Sequence, residues 1–228
     1  MSLIKENEKS NPSDYSANLI KNTTKEFSSL LDKQEHKWIN NYAQNNRERY
    51  AFDAILNNIP EQSSICEIGA APFFFTCVLK NAGYKVSAVD IAPERFKNLN
   101  ELEVEIKKAD IDHDILPFKN NSFDSVVINE IFEHLKGNLI FTFQEIHRIL
   151  KPEGILILST PNLKSIKGIF NFLLKSKAYA SANSLYEEWA KINKSGHMGH
   201  VREYTSREII DFLEAIDFTG IKLIHRGK

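Results

Sequence analysis

Two acidic residues and a histidine stand close together after an apolar run, in the segment Asn129–Leu135. Asn129 is a residue type favoured at helix N-caps, so we expect a helix to begin there. Such a helix would bring Glu130, Glu133 and His134 to one face, because they occupy positions i, i+3 and i+4. Two carboxylates and an imidazole would then converge. They could bind a divalent cation, His134 could act alone as a general base, or the carboxylates could simply face solvent.

A second group of chemically informative residues surrounds a tight turn in the segment Ser64–Thr76. A short apolar strand ends in Glu67, Ile68 and Gly69, and a helix follows within a few residues. This order of elements exposes backbone N–H groups and a helix N-terminus, which bind nucleotide-like ligands. Asp90 ends the next apolar run, where a carboxylate can accept both hydrogen bonds of a ribose diol. The sequence therefore predicts a nucleoside cofactor.

The composition argues against several other classes of protein. The chain has 228 residues, with 29 Lys and Arg against 30 Asp and Glu, and its net charge of -1 lacks the basic excess of a typical nucleic-acid-binding protein. No stretch reaches the roughly 18 apolar residues of a membrane span, and the N-terminus lacks the apolar core of a signal peptide. We therefore expect a cytoplasmic protein. Cys66 and Cys77 lack metal-type spacing, which predicts two buried free thiols.

Alternating strand and helix segments after residue 62 indicate βαβ units and a parallel sheet. Before them, a polar tail and the apolar spacing of residues 15–58 predict an extension of two amphipathic helices. We expect this extension over residues 1–62 and one domain over residues 63–228, with a helical lid at 163–199. The predicted strands are Ile65–Ile68, Val86–Val89, Val104–Lys107, Ser125–Ile128, Ile155–Ser159 and Gly220–His225. Helices should begin near Phe73, Pro93, Glu130, Leu139 and Ser206.

The order of these motifs resembles class I S-adenosylmethionine-dependent methyltransferases, particularly the branch with small-molecule and saccharide O-methylating members. The similarity covers about residues 65–218. Glu67 and Gly69 match the first-strand motif, acid-x-Gly-x-Gly-x-Gly. Ala71 and Phe73 replace the later glycines, and a left-handed backbone at Ala71 would cost on the order of 1 kcal/mol or more. The other matching segments are Asp90 after strand two, Ala109–Ile111, Leu116–Phe118, Ser122–Asp124 and Leu150–Gly154.

The resemblance implies an α/β fold, the Rossmann-like class I methyltransferase sheet with helices on both faces. The family sheet ends in a hairpin of two strands, whereas one predicted strand follows the last helix here, so we expect the final strand to be missing. The exposed sheet edge that results is a candidate homodimer surface. The implied cofactor is S-adenosylmethionine, with Asp90 on the ribose diol, Asp110 on the adenine amino group and Gly69 allowing the backbone to approach. The implied cofactor-binding residues are Glu67, Gly69, Ala71, Asp90, Ile91, Asp110, Ile111 and Asn129.

The Glu-x-x-Glu-His motif resembles that of a metal-dependent subset of the same superfamily, the ubiquinone-pathway O-methyltransferases and the small-RNA 2′-O-methyltransferases. In the RNA enzymes a further histidine completes the ligand set, and the segment Gly199–Thr205 is similar to theirs. The resemblance implies that His134 and Glu130 are catalytic. A bound cation can lower the pKa of a coordinated water by roughly 8 units, and a substrate hydroxyl could ionise likewise. The implied ligands of Mg²⁺ or Mn²⁺ are Glu130, Glu133, His134 and His200, with His197 as a substitute for His200.

These features favour methyl transfer to a hydroxyl group of a small-molecule acceptor, plausibly a sugar or related metabolite. Methylation of an RNA ribose is an alternative, which the Glu-x-x-Glu-His pattern favours and the nearly neutral charge disfavours. A third hypothesis is a degenerate, non-catalytic cofactor-binding domain, because two motif glycines are replaced. A nicotinamide-dependent dehydrogenase is disfavoured because the turn lacks G-x-G-x-x-G. The acceptor itself depends on the N-terminal helices and the lid, which these motifs do not specify.

Overall fold

The computed structural model describes residues 13–28, 46–182, 184–195 and 199–225. Two helices come first, α1 (Asp14–Ser28) and α2 (Asn46–Asn58). The central part contains β1 (Ser64–Ile68), α3 (Phe74–Asn81), β2 (Lys85–Asp90), β3 (Glu105–Lys108), β4 (Phe123–Asn129), α4 (Leu139–Ile149) and β5 (Leu150–Ser159). The last described helices are α5 (Ile166–Lys175), α6 (Leu185–Ser195) and α7 (Ser206–Ala215).

The five strands form one parallel sheet in the order β3-β2-β1-β4-β5. Parallel neighbours need crossover connections, which α3 supplies between β1 and β2 and α4 supplies between β4 and β5. In β1, Ile65 packs on one face of the sheet while Cys66 and Ile68 pack on the other, because successive strand side chains alternate. The Rossmann-like α/β fold predicted from the sequence is confirmed.

Helices cover both faces of the sheet. On one face, α1, α2 and α3 form a core with β1 and β4, in which Phe52, Phe74 and Val127 are fully buried. Phe27 of α1 meets Phe74 with ring centroids 6.0 Å apart, so the N-terminal extension packs on the helix that follows the glycine turn. On the other face, α4 and α7 share a core with β4 that includes the fully buried Phe143. Burial on both faces explains the continuous apolar runs of the central strands.

An ion pair near the amino end of the sheet joins three strands. Asp124 of β4 accepts hydrogen bonds from the backbone N–H of Ser64 at 2.8 Å and from its hydroxyl at 2.7 Å. Lys151 of β5 donates to the other carboxylate oxygen at 2.7 Å. The hydrogen bond from Lys151, followed by those from Ser64, lowers the pKa of Asp124 to about 2. Asp124 and Lys151, which belong to the matching segments Ser122–Asp124 and Leu150–Gly154, therefore join with Ser64 to hold β1, β4 and β5 together.

The structure corrects several predicted elements. The helix expected near Pro93 is replaced by two short 3-10 turns, Pro93–Arg95 and Leu99–Leu102. Asn98, between the turns, has a left-handed backbone with a φ of 61°, which interrupts an α-helix. The third strand begins and ends one residue later than predicted, and the fifth begins earlier. The remaining predicted helix starts, apart from that near Glu130, agree within one residue.

The strand predicted over Gly220–His225 is wrong for the part of the chain that the structure describes, where β5 forms the edge of the sheet. Asp217 and Gly220 have positive φ values of 70° and 64°, which turn the chain after α7. Ile221 then packs against the core that contains α4 and α7 rather than pairing beside β5. The proposed pairing of the β5 edge with a second copy stays a prediction.

Both cysteines are buried and free, as the sequence predicted. Burial raises the pKa of both thiols, that of Cys77 to about 12, so neither is a reactive thiolate near neutral pH. Among the described residues, no helix is both long and apolar enough to cross a membrane. Residues 1–12 and 29–45 of the predicted extension lie outside the described residues. The domain boundary at residue 62 and the cytoplasmic location stay predictions.

Candidate active site

The predicted site residues follow strand ends that meet at one edge of the sheet. β1 ends just before Gly69, β2 ends at Asp90, and β4 ends at Asn129. Because these strands are parallel, their carboxyl ends point the same way. β2 and β4 flank β1 on opposite sides. The chain therefore runs from β1 to β2 in one direction across the sheet and from β4 to β5 in the other. The crevice outside such a switch point is the usual ligand position in open α/β sheets.

Gly69 has a backbone conformation and surroundings that disfavour any larger residue. Its φ is +69°, in the region that L side chains rarely adopt. A Cβ atom at this position would lie 2.4 Å from Cδ1 of Ile131, which belongs to the turn after β4. The N–H groups of Gly69 and Ala70 donate to the carbonyl oxygen of Val89 at 2.8 Å and 3.1 Å. Gly69 therefore allows the turns after β1 and β4 to pack together.

Of the two residues that replace motif glycines, Phe73 has the glycine-like backbone. Its φ is 66°, immediately before α3, and its fully buried ring meets Phe96 edge to face with centroids 5.6 Å apart. The left-handed backbone costs about 1–2 kcal/mol, and burying a phenylalanine side chain contributes about 1.5–3 kcal/mol. Burial of the ring thus offsets the strain. Ala71 lies outside the left-handed region, so the strain anticipated at that position does not arise.

Asp90 presents a buried carboxylate at the end of β2. Oδ2 accepts a hydrogen bond from the backbone N–H of Ala71 at 3.0 Å, and Oδ1 accepts one from that of Ala92 at 2.9 Å. A carboxylate has about four acceptor sites, so both oxygens can accept further hydrogen bonds. The two backbone donors orient the carboxylate, and the geometry remains compatible with binding a diol.

Two of the predicted cofactor residues bond to neighbouring elements of the protein. Glu67 is buried, and its Oε2 accepts a hydrogen bond from the hydroxyl of Thr76, which ties β1 to α3. Asn129 accepts a hydrogen bond from the hydroxyl of Ser159, which ties β4 to β5. Both side chains therefore stabilise the edge on which a ligand would sit. Their direct contact with a cofactor stays a prediction.

The remaining predicted cofactor residues follow β2 and β3. Ile91 and Ile111 are half-buried. The carboxylate of Asp110 accepts a hydrogen bond from the backbone N–H of Asp112 at 3.1 Å and lies 3.1 Å from Nδ1 of His113. Asp112, which the sequence did not indicate, is buried, and its Oδ1 has no hydrogen-bond partner among the described residues. The adenine contact expected of Asp110 stays a prediction.

The helix predicted from Asn129 onwards is wrong. β4 continues through Asn129, Glu130 has a left-handed backbone with a φ of 57°, and a single 3-10 turn follows over Phe132–His134. The predicted helical face therefore does not form. Instead, Glu130 remains beside β5: its N–H donates to the carbonyl oxygen of Ser159 at 2.9 Å, and its Oε1 accepts from the Ser159 hydroxyl at 3.1 Å.

The structure nevertheless brings Glu133, His134 and His200 together. Each offers one potential ligand atom, and these atoms lie within 4.8 Å of one another. Nε2 of each histidine lies 4.0 Å from Oε1 of Glu133. Glu130 is outside this group, and its expected place in the ligand set stays a prediction. The substitute histidine, His197, lies outside the described residues.

Glu133 is the buried member of the cluster, with 1% of its surface exposed. Its Oε2 accepts a hydrogen bond from the hydroxyl of Thr160 at 2.8 Å. Its carbonyl oxygen accepts from the N–H groups of Val201 and Arg202 at 2.8 Å and 3.3 Å, which bring the segment after the lid alongside. Burial and the charge of Glu130 raise the pKa of Glu133 well above its ordinary value.

The two histidines are both anchored through Nδ1. Nδ1 of His134 lies 3.0 Å from the carbonyl oxygen of Gly199, and Nδ1 of His200 lies 3.0 Å from Oε1 of Glu203. These oxygens accept hydrogen bonds, so the neutral rings carry their proton on Nδ1 and present a lone pair on Nε2. Burial lowers the pKa of His134. Burial also opposes the charge on His200, but Glu203 and Glu133 together raise its pKa.

Glu203 is an anchor that the sequence did not reveal. Its buried carboxylate accepts hydrogen bonds from the Ser181 hydroxyl at 2.6 Å and from the backbone N–H groups of Ala180 and Ala182. Although burial acts in the opposite direction, these bonds and the one to His200 lower the pKa of Glu203 to about 2. Glu203 therefore joins the lid to His200 as a negatively charged group.

Residues 66–158 match the sequence profile of a protein family that is described as a methyltransferase domain. The matched region contains the glycine turn and Asp90. The chain contains a class I S-adenosylmethionine-dependent methyltransferase domain. This confirms the family predicted from the motifs, and membership of the family implies S-adenosylmethionine as cofactor.

The methyltransferase domain has the fold of several solved structures. An S-adenosylmethionine-dependent methyltransferase of Archaeoglobus fulgidus has a TM-score of 0.52 and 18% identity, covering 77% of this chain and 71% of that one. Another, from Thermotoga maritima, has a TM-score of 0.51 and 20% identity, covering 80% of this chain and 79% of that one. At these identities the similarity shows the fold alone.

The curated relatives are matched over only part of their length. Arginine-hydroxylase NDUFAF5, a mitochondrial protein of Homo sapiens, is 37% identical over 73 residues, which are 32% of this chain and 21% of that protein. An uncharacterized protein of Methanocaldococcus jannaschii is 29% identical over 174 residues, 73% of this chain and 65% of that protein. The 73 matched residues thus span about a fifth of the human relative's length, 21%.

Proposed function

We propose that this chain transfers a methyl group from S-adenosylmethionine to a hydroxyl group of a small acceptor, such as a sugar or related metabolite, with the help of Mg²⁺ or Mn²⁺. The supporting observation is that Glu133 and His134, which follow β4, converge with His200 from the segment after the lid, with both Nε2 atoms 4.0 Å from the buried carboxylate. The family supports methyl transfer, and the cluster supports the cation.

The donor set fits a divalent cation of this kind. One carboxylate oxygen and two imidazole nitrogens form a mixed set suited to Mn²⁺ and acceptable to Mg²⁺. Histidine ligands usually donate their other N–H to a backbone carbonyl or a carboxylate. His134 donates to the first kind of partner and His200 to the second. A positive ion would also offset the cost of burying ionised Glu133.

Different residues of the chain would have different roles in catalysis. When bound, S-adenosylmethionine supplies an electrophilic methyl group, and a divalent cation makes a nearby hydroxyl more acidic. Asp90 is expected to accept the ribose hydroxyls, and the turn at Gly69 leaves the backbone accessible. With the cation bound, Nε2 of His134 would be one of its ligands; without the cation, that nitrogen could instead accept the proton of the acceptor hydroxyl as a general base. The lid, anchored through Glu203, would exclude water and orient the acceptor.

Two other functions are supported by specific observations. The position of His200 beside Glu133 and His134 agrees with the pattern expected for RNA ribose 2′-O-methylation, although the net charge of -1 does not favour an RNA partner. The altered glycine motif agrees with a degenerate cofactor-binding domain, although Phe73 retains the left-handed backbone. We therefore favour a small acceptor.

The first experiment is a calorimetric titration of the full chain with S-adenosylhomocysteine. We expect binding, and we expect Asp90→Ala to weaken it by about 1.5–3 kcal/mol, the scale of hydrogen bonds to a charged group. Asp211→Ala, at a half-exposed acid of α7, is the matched control and should bind normally. Failure of the unmodified chain to bind at millimolar ligand would overturn the proposal in favour of a degenerate, non-catalytic domain that has lost cofactor binding.

The second experiment measures transfer of a labelled methyl group to a panel of sugars, other hydroxylated metabolites and a short RNA. We expect transfer to a small acceptor that EDTA abolishes and Mn²⁺ or Mg²⁺ restores. Transfer that survives EDTA but is lost in His134→Ala would show a metal-free mechanism with His134 as the base. Transfer to the RNA alone would establish the alternative acceptor.

A further inference from the structure

Helix α5 (Ile166–Lys175) places its apolar side away from the protein. Its apolar residues follow the spacing i, i+3, i+4, i+7 and i+8, which forms one continuous stripe on a helix. This stripe is exposed to solvent, with 86% of Ile166 and 70% each of Leu173 and Leu174 accessible. The stripe comprises Ile166, Ile169, Phe170, Leu173 and Leu174. An amphipathic helix on a solvent-exposed protein surface normally turns its apolar stripe towards the protein core.

Contacts on the other side of α5 set this orientation. Gly168 and Asn171 are the buried residues of the helix. A Cβ at Gly168 would lie 2.0 Å from the carbonyl oxygen of Leu163 and 3.2 Å from Cβ of Ala180, so the backbone is packed closely there. The amide of Asn171 donates to the carbonyl oxygen of Tyr179 at 2.9 Å. A polar, small-residue side therefore faces the protein, and the apolar stripe faces outwards.

Positive charges border the stripe. Lys164, Lys167, Lys175 and Lys177 are exposed, and no Asp or Glu occurs between residues 160 and 186. Nζ of Lys175 lies 5.4 Å from the centroid of the Phe170 ring. The next helix, α6, adds Tyr186 and Trp189, which are 82% and 51% exposed, and such aromatic residues are common where proteins meet the lipid headgroup region.

We propose that α5 docks in the plane of an anionic lipid surface, with its apolar stripe among the acyl chains and its lysines at the headgroups. Amphipathic helices with aromatic and aliphatic residues on one face and lysines beside it bind membranes in this way. Charge complementarity selects an anionic surface, because each juxtamembrane lysine adds to the attraction and the segment between residues 160 and 186 contains no Asp or Glu. The helix is 10 residues long, so it lies on the surface and does not span it.

Vesicle co-sedimentation of the full chain tests this proposal without any measurement of methyl transfer. The probes are vesicles of phosphatidylcholine alone and vesicles that also contain phosphatidylglycerol. We expect binding to the second kind, decreasing with salt. Phe170→Ser combined with Leu173→Ser should reduce binding by at least about 10-fold, because two large side chains leave the acyl region. Lys167→Gln combined with Lys175→Gln should reduce it by about 10-fold or more.

Ile115→Ser is the matched control, because Ile115 is 70% exposed outside α5 and its loss should leave vesicle binding unchanged. Circular dichroism and thermal unfolding show whether each variant is folded, and the lysine variants provide a second test if the serine variants are not. No binding to the phosphatidylglycerol vesicles would overturn the proposal. Binding that the control reduces as much as the α5 variants would overturn it too. A dimer in sedimentation velocity that the serine variants dissociate would instead assign the stripe to contact between copies.

Discussion

The imidazole rings of His134 and His200 meet edge to face, with centroids 4.8 Å apart and an interplanar angle of 90°. His134 comes from the turn after β4, and His200 comes from the segment after the lid. The carbonyl oxygen of Gly199 accepts the hydrogen bond of the first ring, which joins the two segments, and Glu203 accepts that of the second ring within its own segment. Whatever binds between the rings and Glu133 must therefore join the lid to the sheet.

Replacement of Glu133 by glutamine should abolish Mn²⁺ binding. The change keeps the size of the side chain but removes the charged oxygen that lies 4.0 Å from both Nε2 atoms. Calorimetric titration of the full chain with Mn²⁺ measures the effect. Glu130→Gln is the control, because Glu130 lies outside the cluster, and it should retain most of the affinity. Equal losses in the two variants would return Glu130 to the ligand set.

Glu203→Gln should weaken Mn²⁺ binding by about 10–100-fold, the usual effect of losing the carboxylate partner of a histidine ligand. The variant should also lower the pKa of His200, because the Glu203 carboxylate raises it in the native protein. Titration of the histidine resonances by NMR in the absence of metal checks this shift. If Glu203 had a purely structural role, the variant would lose thermal stability while the pKa of His200 stayed unchanged. That result would contradict the assignment of Glu203 as a positioning residue.

Gly69→Ala should both destabilise the protein and weaken S-adenosylhomocysteine binding. The left-handed φ of +69° costs a β-carbon about 1 kcal/mol or more, and the new atom would displace Ile131, 2.4 Å away. Gly83→Ala separates the two effects, because its φ is +90° and nothing lies within 4 Å of the added carbon. We expect this control to lose stability but to bind the ligand normally in calorimetry. Unchanged affinity in Gly69→Ala would show that the turn can move without harm.

Asp124→Asn should destabilise the fold by about 1 kcal/mol near neutral pH, the scale of an ion pair a third exposed to solvent. The pKa of Asp124 falls from 3.8 to about 2 on folding, so its stabilisation is complete above about pH 4 and is lost as the pH falls towards 2. The difference in unfolding free energy between the two proteins should therefore shrink over this range. Urea unfolding at neutral and acidic pH measures it, and a difference that stays constant down to about pH 2 would show that charge is not the cause.

The alternation of apolar strands and helices was sufficient to predict the parallel sheet and the residues at its carboxyl edge. Gly69 and Asp90 lie where the sequence placed them, because a parallel βαβ unit brings successive strand ends to one edge. The predicted strand over Gly220–His225 failed for a different reason. The positive φ values at Asp217 and Gly220 turn the chain after α7, and the segment then forms a single β-bridge at Ile224 in place of a strand.

By itself, the sequence determined the fold class, the family and the residue types available for chemistry, because these depend on periodicity and on spacing within one segment. Only the tertiary structure decided which of those residues meet. Glu130 leaves the cluster because its left-handed backbone ends the strand without starting an α-helix, a choice set by the bonds to Ser159 in β5. His200 and its anchor Glu203 join the cluster through contacts between distant segments, which local spacing does not encode.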